Sequence, residues 1–216
     1  AMLNDGYILP QTLVPDVPTQ ISGYSPQNFN LTYDGAVPAS RALARSLNIP
    51  SVLMLQDYSV NQFYEKLQQL KLRNVNRQPS NYGLSLILGG AESNLWDLCK
   101  AYAYMSSTLT YFNNNSCYRK NEMLNLNYDV DFQPDFGSGS RQKNIFGAGA
   151  IWQTFNAMKE VNRPEGDEAW KFYDSSLEIA WKTGTSFGSR DAWAIGVTKD
   201  YVVGIWVGNA TGEGRP

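Results

Sequence analysis

The runs LEIAWKTGT (177–185), DAWAIGVT (191–198) and YVVGIWVGN (201–209) decide the fold. They are β-branched and aromatic, and only Lys199-Asp200 separates the second from the third. They read as an antiparallel meander over Ile179–Thr185, Asp191–Thr198 and Tyr201–Asn209. Inside the first strand stands a lone cation, Lys182, followed at once by Thr183, Gly184, Thr185 and Ser186. A lysine there has two readings. It guards an exposed sheet edge against stray pairing, or it is the charged reagent of a binding surface. On the second reading Gly184 admits an incoming chain to close approach, and the two threonine hydroxyls are donors for a carboxylate.

Upstream of the meander the periodicity is helical. AMLNDG (1–6) reads as the last turn of a helix that starts before residue 1, with Gly6 in the left-handed position after the helix end. Residues 7–37 are rich in Pro, Gly, Asn and Tyr without a lasting period and read as extended loop with short turns such as Asp34-Gly35. VPASRALARSLN (37–48) places Pro38 at a first helical turn and Leu43 on the apolar side, and Pro50 opens another helix, so Ser46-Leu47-Asn48 falls in a tight interhelical loop. Ser59 and Gln62 read as a capping box ahead of Phe63, Leu67 and Leu70. After YGLSLILGG, Leu95, Leu98, Cys99, Tyr102 and Met105 recur at helical spacing as a core stripe, and AGAIWQTFNAMKEV (148–161) is a further helix ended by Arg163-Pro164. The fold class is therefore α/β of the α+β kind, a helical lobe packed on an antiparallel sheet. Residues 7–112 and 145–175 are mainly loops and helices, 113–144 is a polar insertion, and 176–209 is the meander.

Composition closes several functions. At 216 residues and 43% hydrophobic the chain buries a full core without disulfides or metals. A net charge of -2 and a pI near 5.2 argue against nucleic acid as a partner. No apolar run is long enough to span a membrane and no export signal is present, so any anchor or signal is expected outside these residues. Histidine is absent, which excludes a Ser-His-Asp triad, a His-activated thiol and the common zinc hydrolase sites. Acid–base chemistry falls to lysine or a carboxylate, and no cofactor is expected. Two cysteines, Cys99 and Cys117, are too few for a disulfide framework or a zinc site and leave the redox compartment open.

Lys182-Thr183-Gly184 gains meaning beside a Ser-x-Asn. The chain has two: Ser59-Val60-Asn61, which helix capping accounts for, and Ser46-Leu47-Asn48, which has no evident structural duty and is preferred. Ser-x-x-Lys, Ser-x-Asn and Lys-Thr-Gly form the motif set of penicillin-binding proteins and serine β-lactamases. AWKTGTSFGSRDAWAIG, YVVGIWVGNATGEGRP, RSLNIPSVLML, YGLSLILGGAE and SGYSPQNF together resemble the transpeptidase domain of the class A penicillin-binding proteins, over nearly the whole chain except 113–144.

The resemblance implies a domain that cross-links peptidoglycan stem peptides through a serine acyl-enzyme. Ser46, Asn48 and Lys182 would be catalytic: Lys182 bridges toward Ser46 and helps move the proton to the leaving amine, and Asn48 holds the donor peptide's amide. Thr183, Gly184 and Thr185 would bind the substrate, the threonines taking the terminal carboxylate of a D-alanyl-D-alanine stem or of a β-lactam. The Thr185 N–H would be one oxyanion-hole donor. It also implies an upstream glycosyltransferase domain, a membrane anchor and a place on the periplasmic face of the bacterial inner membrane. Because two family strands precede the nucleophile, the sheet is expected to be incomplete.

The chain departs from the motif set in its first member. Its one Ser-x-x-Lys, Ser140-Arg141-Gln142-Lys143, follows Ser46 and lies in the polar insertion, so it reads as accidental. The nucleophile is expected upstream of Ala1, at the start of the helix that AMLNDG ends, leaving these residues inactive alone. Two other readings stand beside this one, a noncatalytic peptidoglycan-binding scaffold and a serine β-lactamase or carboxypeptidase of the same fold. The six Trp and thirteen Tyr suit the former; a Ser-x-x-Lys in the preceding helix supports the enzyme, and its absence supports the scaffold.

Overall fold

The computed structural model describes residues 1–119, 139–140, 145–160 and 178–214. Helix α1 (Met2–Asp5) stops at Gly6, whose φ of 79° is the left-handed value that ends a helix without a Cβ clash. The following loop contains what the sequence pattern hid. Strands β1 (Leu13–Asp16) and β2 (Gly35–Pro38) pair antiparallel, Leu13 opposite Pro38 and Asp16 opposite Gly35, where extended loop was expected. Pro15 and Pro38 break the period that marks longer strands, and the pair is only four residues deep. It covers a small core of Val14, Val37, Ala39, Ala42 and Leu47.

Helices α2 (Ala39–Ala44) and α3 (Asn48–Tyr58) follow as the sequence suggests, with the corner between them at residues 45–47. Helix α4 (Val60–Gln69) starts without the expected capping box, because the Ser59 side chain makes no cap bond. Ser59 instead ends α3 and begins α4 with its backbone: its N–H donates to Leu55 O at 2.9 Å and its carbonyl accepts from Phe63 N at 3.1 Å. The φ of 83° that serves both helices takes the hydroxyl out of the usual N-cap geometry.

After α5 (Pro79–Tyr82) and a 3-10 turn over Gly83–Leu88, α6 (Leu95–Asn115) runs through the middle of the molecule. The expected stripe packs against the core only in part. The line Asp97, Ala101, Tyr104 and Thr108 is buried more deeply, while Leu95 and Cys99 face the sheet. A helix with a sheet on one side and other helices on the other buries more than one stripe, which a single amphipathic period does not show. The helix ends inside the expected polar insertion, of which a short pairing of β3 (Tyr118–Arg119) with β4 (Gly139–Ser140) is also described.

Helix α7 (Ala148–Lys159) follows its expected pattern through Ile151, Phe155 and Met158. Val161, Arg163 and Pro164 lie outside the described residues. Its first turn has no side-chain cap of its own. Four consecutive amides leading into it are met from elsewhere: Tyr104 Oη accepts from Ile145 N (2.9 Å) and Phe146 N (3.3 Å), Asn4 Oδ1 from Gly147 N (2.8 Å), and Tyr118 Oη from Ala148 N (3.0 Å).

The meander is as read. Strands β5 (Ala180–Thr185), β6 (Asp191–Val197) and β7 (Val202–Gly208) form an antiparallel sheet in that order, within a residue or two of the expected limits. The register sets Lys182 opposite Ile195 and Ile195 opposite Gly204. Gly204 lets β7 lie against α6, since a Cβ there would fall 2.4 Å from Cys99 Sγ and 2.8 Å from Leu95 Cδ1. Among the described residues β7 pairs with β6 alone, an edge left open as the resemblance implied, and Val203, Ile205 and Val207 on it are exposed.

Candidate active site

Ser46 owes its position to the way α2 stops. Ser46 N donates to Leu43 O at 3.1 Å and Leu47 N to Ala42 O at 3.0 Å, the paired bonds of a Schellman ending in which the residue after the cap turns left-handed. Glycine suits that place best. Here it is a serine with φ 56°, so the corner carries backbone strain in exchange for an exposed hydroxyl.

A ring of polar side chains brackets this corner. Leu47, the residue before α3, has no side-chain acceptor for the first amides of the helix. Asn28, buried to 2% exposure, supplies one from a distance: its Oδ1 accepts from Asn48 N at 2.9 Å and Ile49 N at 3.3 Å. Its Nδ2 donates to Asp16 Oδ1 at 2.7 Å and Thr32 O at 2.9 Å. Asp16, wholly buried at the end of β1, uses its other oxygen to accept from Asp34 N at 2.9 Å, and the Asp34 carboxylate is ion-paired with Arg45. Residues 45 and 48, on either side of Ser46 and Leu47, are thus tied to one loop.

Across from the corner runs β5, paired among the described residues with β6 alone and so an edge strand. The Lys182 ammonium donates to Ser46 Oγ and, at 2.7 Å, to the carbonyl of Thr183. Burial pushes the Lys182 ammonium below its ordinary value of 10.5. Thr183, Gly184 and Thr185 are all exposed, and a Cβ on Gly184 would meet nothing within 4 Å. Among the described residues nothing occupies the side of the strand to which a Cβ there would point, so that space is open to a ligand. Strand alternation puts Lys182 and Gly184 on one face and the two threonines on the other. The far end of β5 is latched: Asp191 accepts from Ser186 Oγ and from Trp206 Nε1, each at 2.8 Å.

Ser46 and Lys182 therefore meet, and Asn48 stands on the same corner with its Nδ2 donating to Gln27 O at 2.8 Å. Ser59 lies at the α3–α4 joint. Lys143 of the other Ser-x-x-Lys lies outside the described residues. Cys99 and Cys117 are free thiols. The sequence reading missed Asp16, Asn28 and Asp34. One signal was present, because a helix entered from Leu47 needs an acceptor supplied from elsewhere. Among the described residues no cluster of three or more His, Cys, Asp or Glu is disposed to hold a metal, and no helix is long and apolar enough to cross a membrane.

No protein-family model matches the chain. It is 37% identical over 214 residues to penicillin-binding protein 1C of Escherichia coli K12, covering 97% of this chain and 24% of that protein. Among solved structures, the D,D-transpeptidase domain of a peptidoglycan glycosyltransferase from Eggerthella lenta aligns with a TM-score of 0.64 at 12% identity, over 95% of this chain and 57% of that one. The PonA1 protein of Mycobacterium tuberculosis, solved in complex with penicillin V, aligns with a TM-score of 0.67 at 16% identity, over 97% and 57% of the two chains. These residues span about a quarter of the length of the curated relative.

Proposed function

The chain is a relative of the penicillin-binding proteins and has the fold of their transpeptidase domains, and from that premise we propose that it is part of a peptidoglycan D,D-transpeptidase domain. The observation that carries the reading is the hydrogen bond from Lys182 to Ser46, which sets a lysine and a serine beside an open edge strand with a Thr-Gly-Thr run. In the reaction a nucleophilic serine oxygen attacks the carbonyl of the penultimate D-alanine and the terminal D-alanine leaves with the proton. An amine of a second stem peptide then attacks the ester and releases the serine.

Lys182 and Ser46 move the proton toward the leaving amine, and Asn48 orients the donor peptide. From the free edge of β5 Thr183 and Thr185 take the terminal carboxylate, Gly184 leaves the Lys182 face clear for the rest of the donor peptide, and the Thr185 N–H is one donor to the developing oxyanion. Removing a single donor of that kind costs about 3 kcal/mol in the transition state. The nucleophile is proposed to belong to a Ser-x-x-Lys element N-terminal to α1, because Ser46 sits on a strained corner without a lysine one helical turn away, as activation of a serine without histidine requires. Residues 1–216 are one domain's part on this reading, with 113–144 an insertion. They are joined in the whole protein to a glycosyltransferase domain and a membrane anchor, on the periplasmic face of the inner membrane.

The test is acylation of the intact protein by a fluorescent penicillin, with the labelled serine located by mass spectrometry. The expected label lies on a serine N-terminal to α1, and residues 1–216 alone take none. A label on Ser46 or Ser140, or no label on the intact protein, overturns the reading. Persistence of the label over hours is expected of a transpeptidase, whereas rapid release would indicate a β-lactamase or carboxypeptidase.

A further inference from the structure

Asn28 lies on a loop, carries no catalytic group and belongs to neither motif of the site. Its side chain is nonetheless the link between the buried end of β1 and the first two amides of α3. An Asn is unusual in serving both ends of such a link, since its carbonyl accepts while its amide donates. A buried hydrogen-bond network of this kind specifies one arrangement of the elements that it joins. What it specifies here is the separation between the corner carrying Ser46 and Asn48 and the fixed sheet pair β1–β2. On the other side of Ser46 the Arg45–Asp34 ion pair reaches the same Asp16 through the Asp34 amide. A strained left-handed serine persists only where its surroundings over-determine it, and this ring is the surrounding that does so.

We propose that Asn28 is a positioning residue, holding Ser46 and Asn48 at the distance from Lys182 that acyl transfer requires. The inference rests on the site reading given above. It is distinct from the mere stability of the loop, because the two backbone amides that Asn28 receives belong to the corner itself.

The test uses the intact protein and the rate of acylation by a fluorescent penicillin over a range of concentrations, which separates the maximal rate from the apparent affinity. Assays run well below each variant's melting temperature, with Lys182→Ala as the site reference. Asn28→Ala is expected to lower the maximal rate at least tenfold while the apparent affinity stays within about threefold, because the pocket persists and the proton path is displaced. The exchanged pair Asp16→Asn with Asn28→Asp keeps an acceptor on the α3 amides and reverses the bond between the two side chains, losing only the donor to Thr32 O, which is not part of the corner. It is expected to recover the rate to within about threefold of wild type.

A folded Asn28→Ala protein that acylates at the wild-type rate, beside a disabled Lys182→Ala protein, overturns the positioning role and leaves the site reading standing. Normal acylation by both variants overturns the site reading. If Asn28→Ala does not fold, the exchanged pair decides. A normal melt with a rate at least tenfold down overturns the proposal, and a retained rate supports it.

Discussion

Lys182 and Ser46, separated by 136 residues, share a hydrogen bond that joins the sheet edge to the α2–α3 corner. The lysine reaches the serine at the cost of partial burial, which holds its ammonium below the ordinary value. The sign of the linkage follows. Between the lowered folded value and 10.5 the unfolded chain binds more protons, so this residue's contribution to stability rises with pH through that window. At neutral pH the charge is a cost to the fold. Lys182→Met is therefore expected to leave the melting temperature unchanged or raise it at pH 7, while cutting acylation of the intact protein by penicillin at least a hundredfold. A clear fall in melting temperature with normal acylation would return Lys182 to guarding the edge.

Ser46→Gly tests the strain at the corner. Glycine adopts φ 56° without a Cβ penalty, and relieving a left-handed non-glycine residue is worth on the order of 1 kcal/mol. The variant is expected to melt a few degrees higher and to acylate more slowly, since the oxygen that receives the Lys182 proton is gone. Thermal melts and penicillin labelling of the intact protein read the two effects separately.

Asp97 anchors the start of α6. Wholly buried, it accepts from Arg73 Nε and Nη2, each at 3.0 Å, and is ion-paired with Lys100 at 3.2 Å, while Asn94 and Asp97 exchange two 2.8 Å bonds at the first turn. Burial alone would raise its pKa, but the bonds from Arg73, Asn94 and Lys100 outweigh it and hold the carboxyl below 3.8. Asp97→Ala removes the buried acceptor shared by Arg73, Asn94 and Lys100 and is expected to cost about 3–5 kcal/mol. The gap in stability from wild type should stay wide above pH 4 and narrow as the pH falls from 3.8 toward the depressed value, because there the unfolded chain binds a proton that the folded carboxylate does not. Chemical denaturation of both proteins from pH 7 down to pH 3 checks this.

At the α6–β7 contact, Gly204→Ala drives a methyl against Cys99 Sγ and Leu95 and is expected to cost about 1–3 kcal/mol. Cys99→Ala in the same molecule opens the space and should recover at least half of the loss. Equal and additive losses in the double variant would show that the two residues do not share that contact.

The meander was legible because three β-branched runs joined by short turns leave little choice of pairing, and Lys182 with its threonines came with it. Ser46 was legible for a different reason, as a polar residue at a helical corner with no capping duty. The support beneath it was hidden. Asn28 and Asp16 belong to a stretch without period, and their work depends on groups meeting across 12 to 21 residues of chain. Ser59 misled for a related reason. Its spacing to Gln62 fits a capping box, but a backbone shared between two helices overrode the local preference. Burial on two sides of α6 likewise exceeds what one apolar stripe announces.

The start of α7 has a kinetic meaning. Its four amides wait for acceptors on Asn4, Tyr104 and Tyr118, and the Asn4 bond alone closes a span of 143 residues. Joining such distant parts loses chain entropy before the contacts reward it, so the joint forms late, after α6 and the ends that it gathers are in place. Interactions made after the folding barrier act on the way out. Weakening the Asn4 bond should therefore leave the rate of folding almost untouched and quicken unfolding, making this junction the latch that sets how long the folded domain lasts.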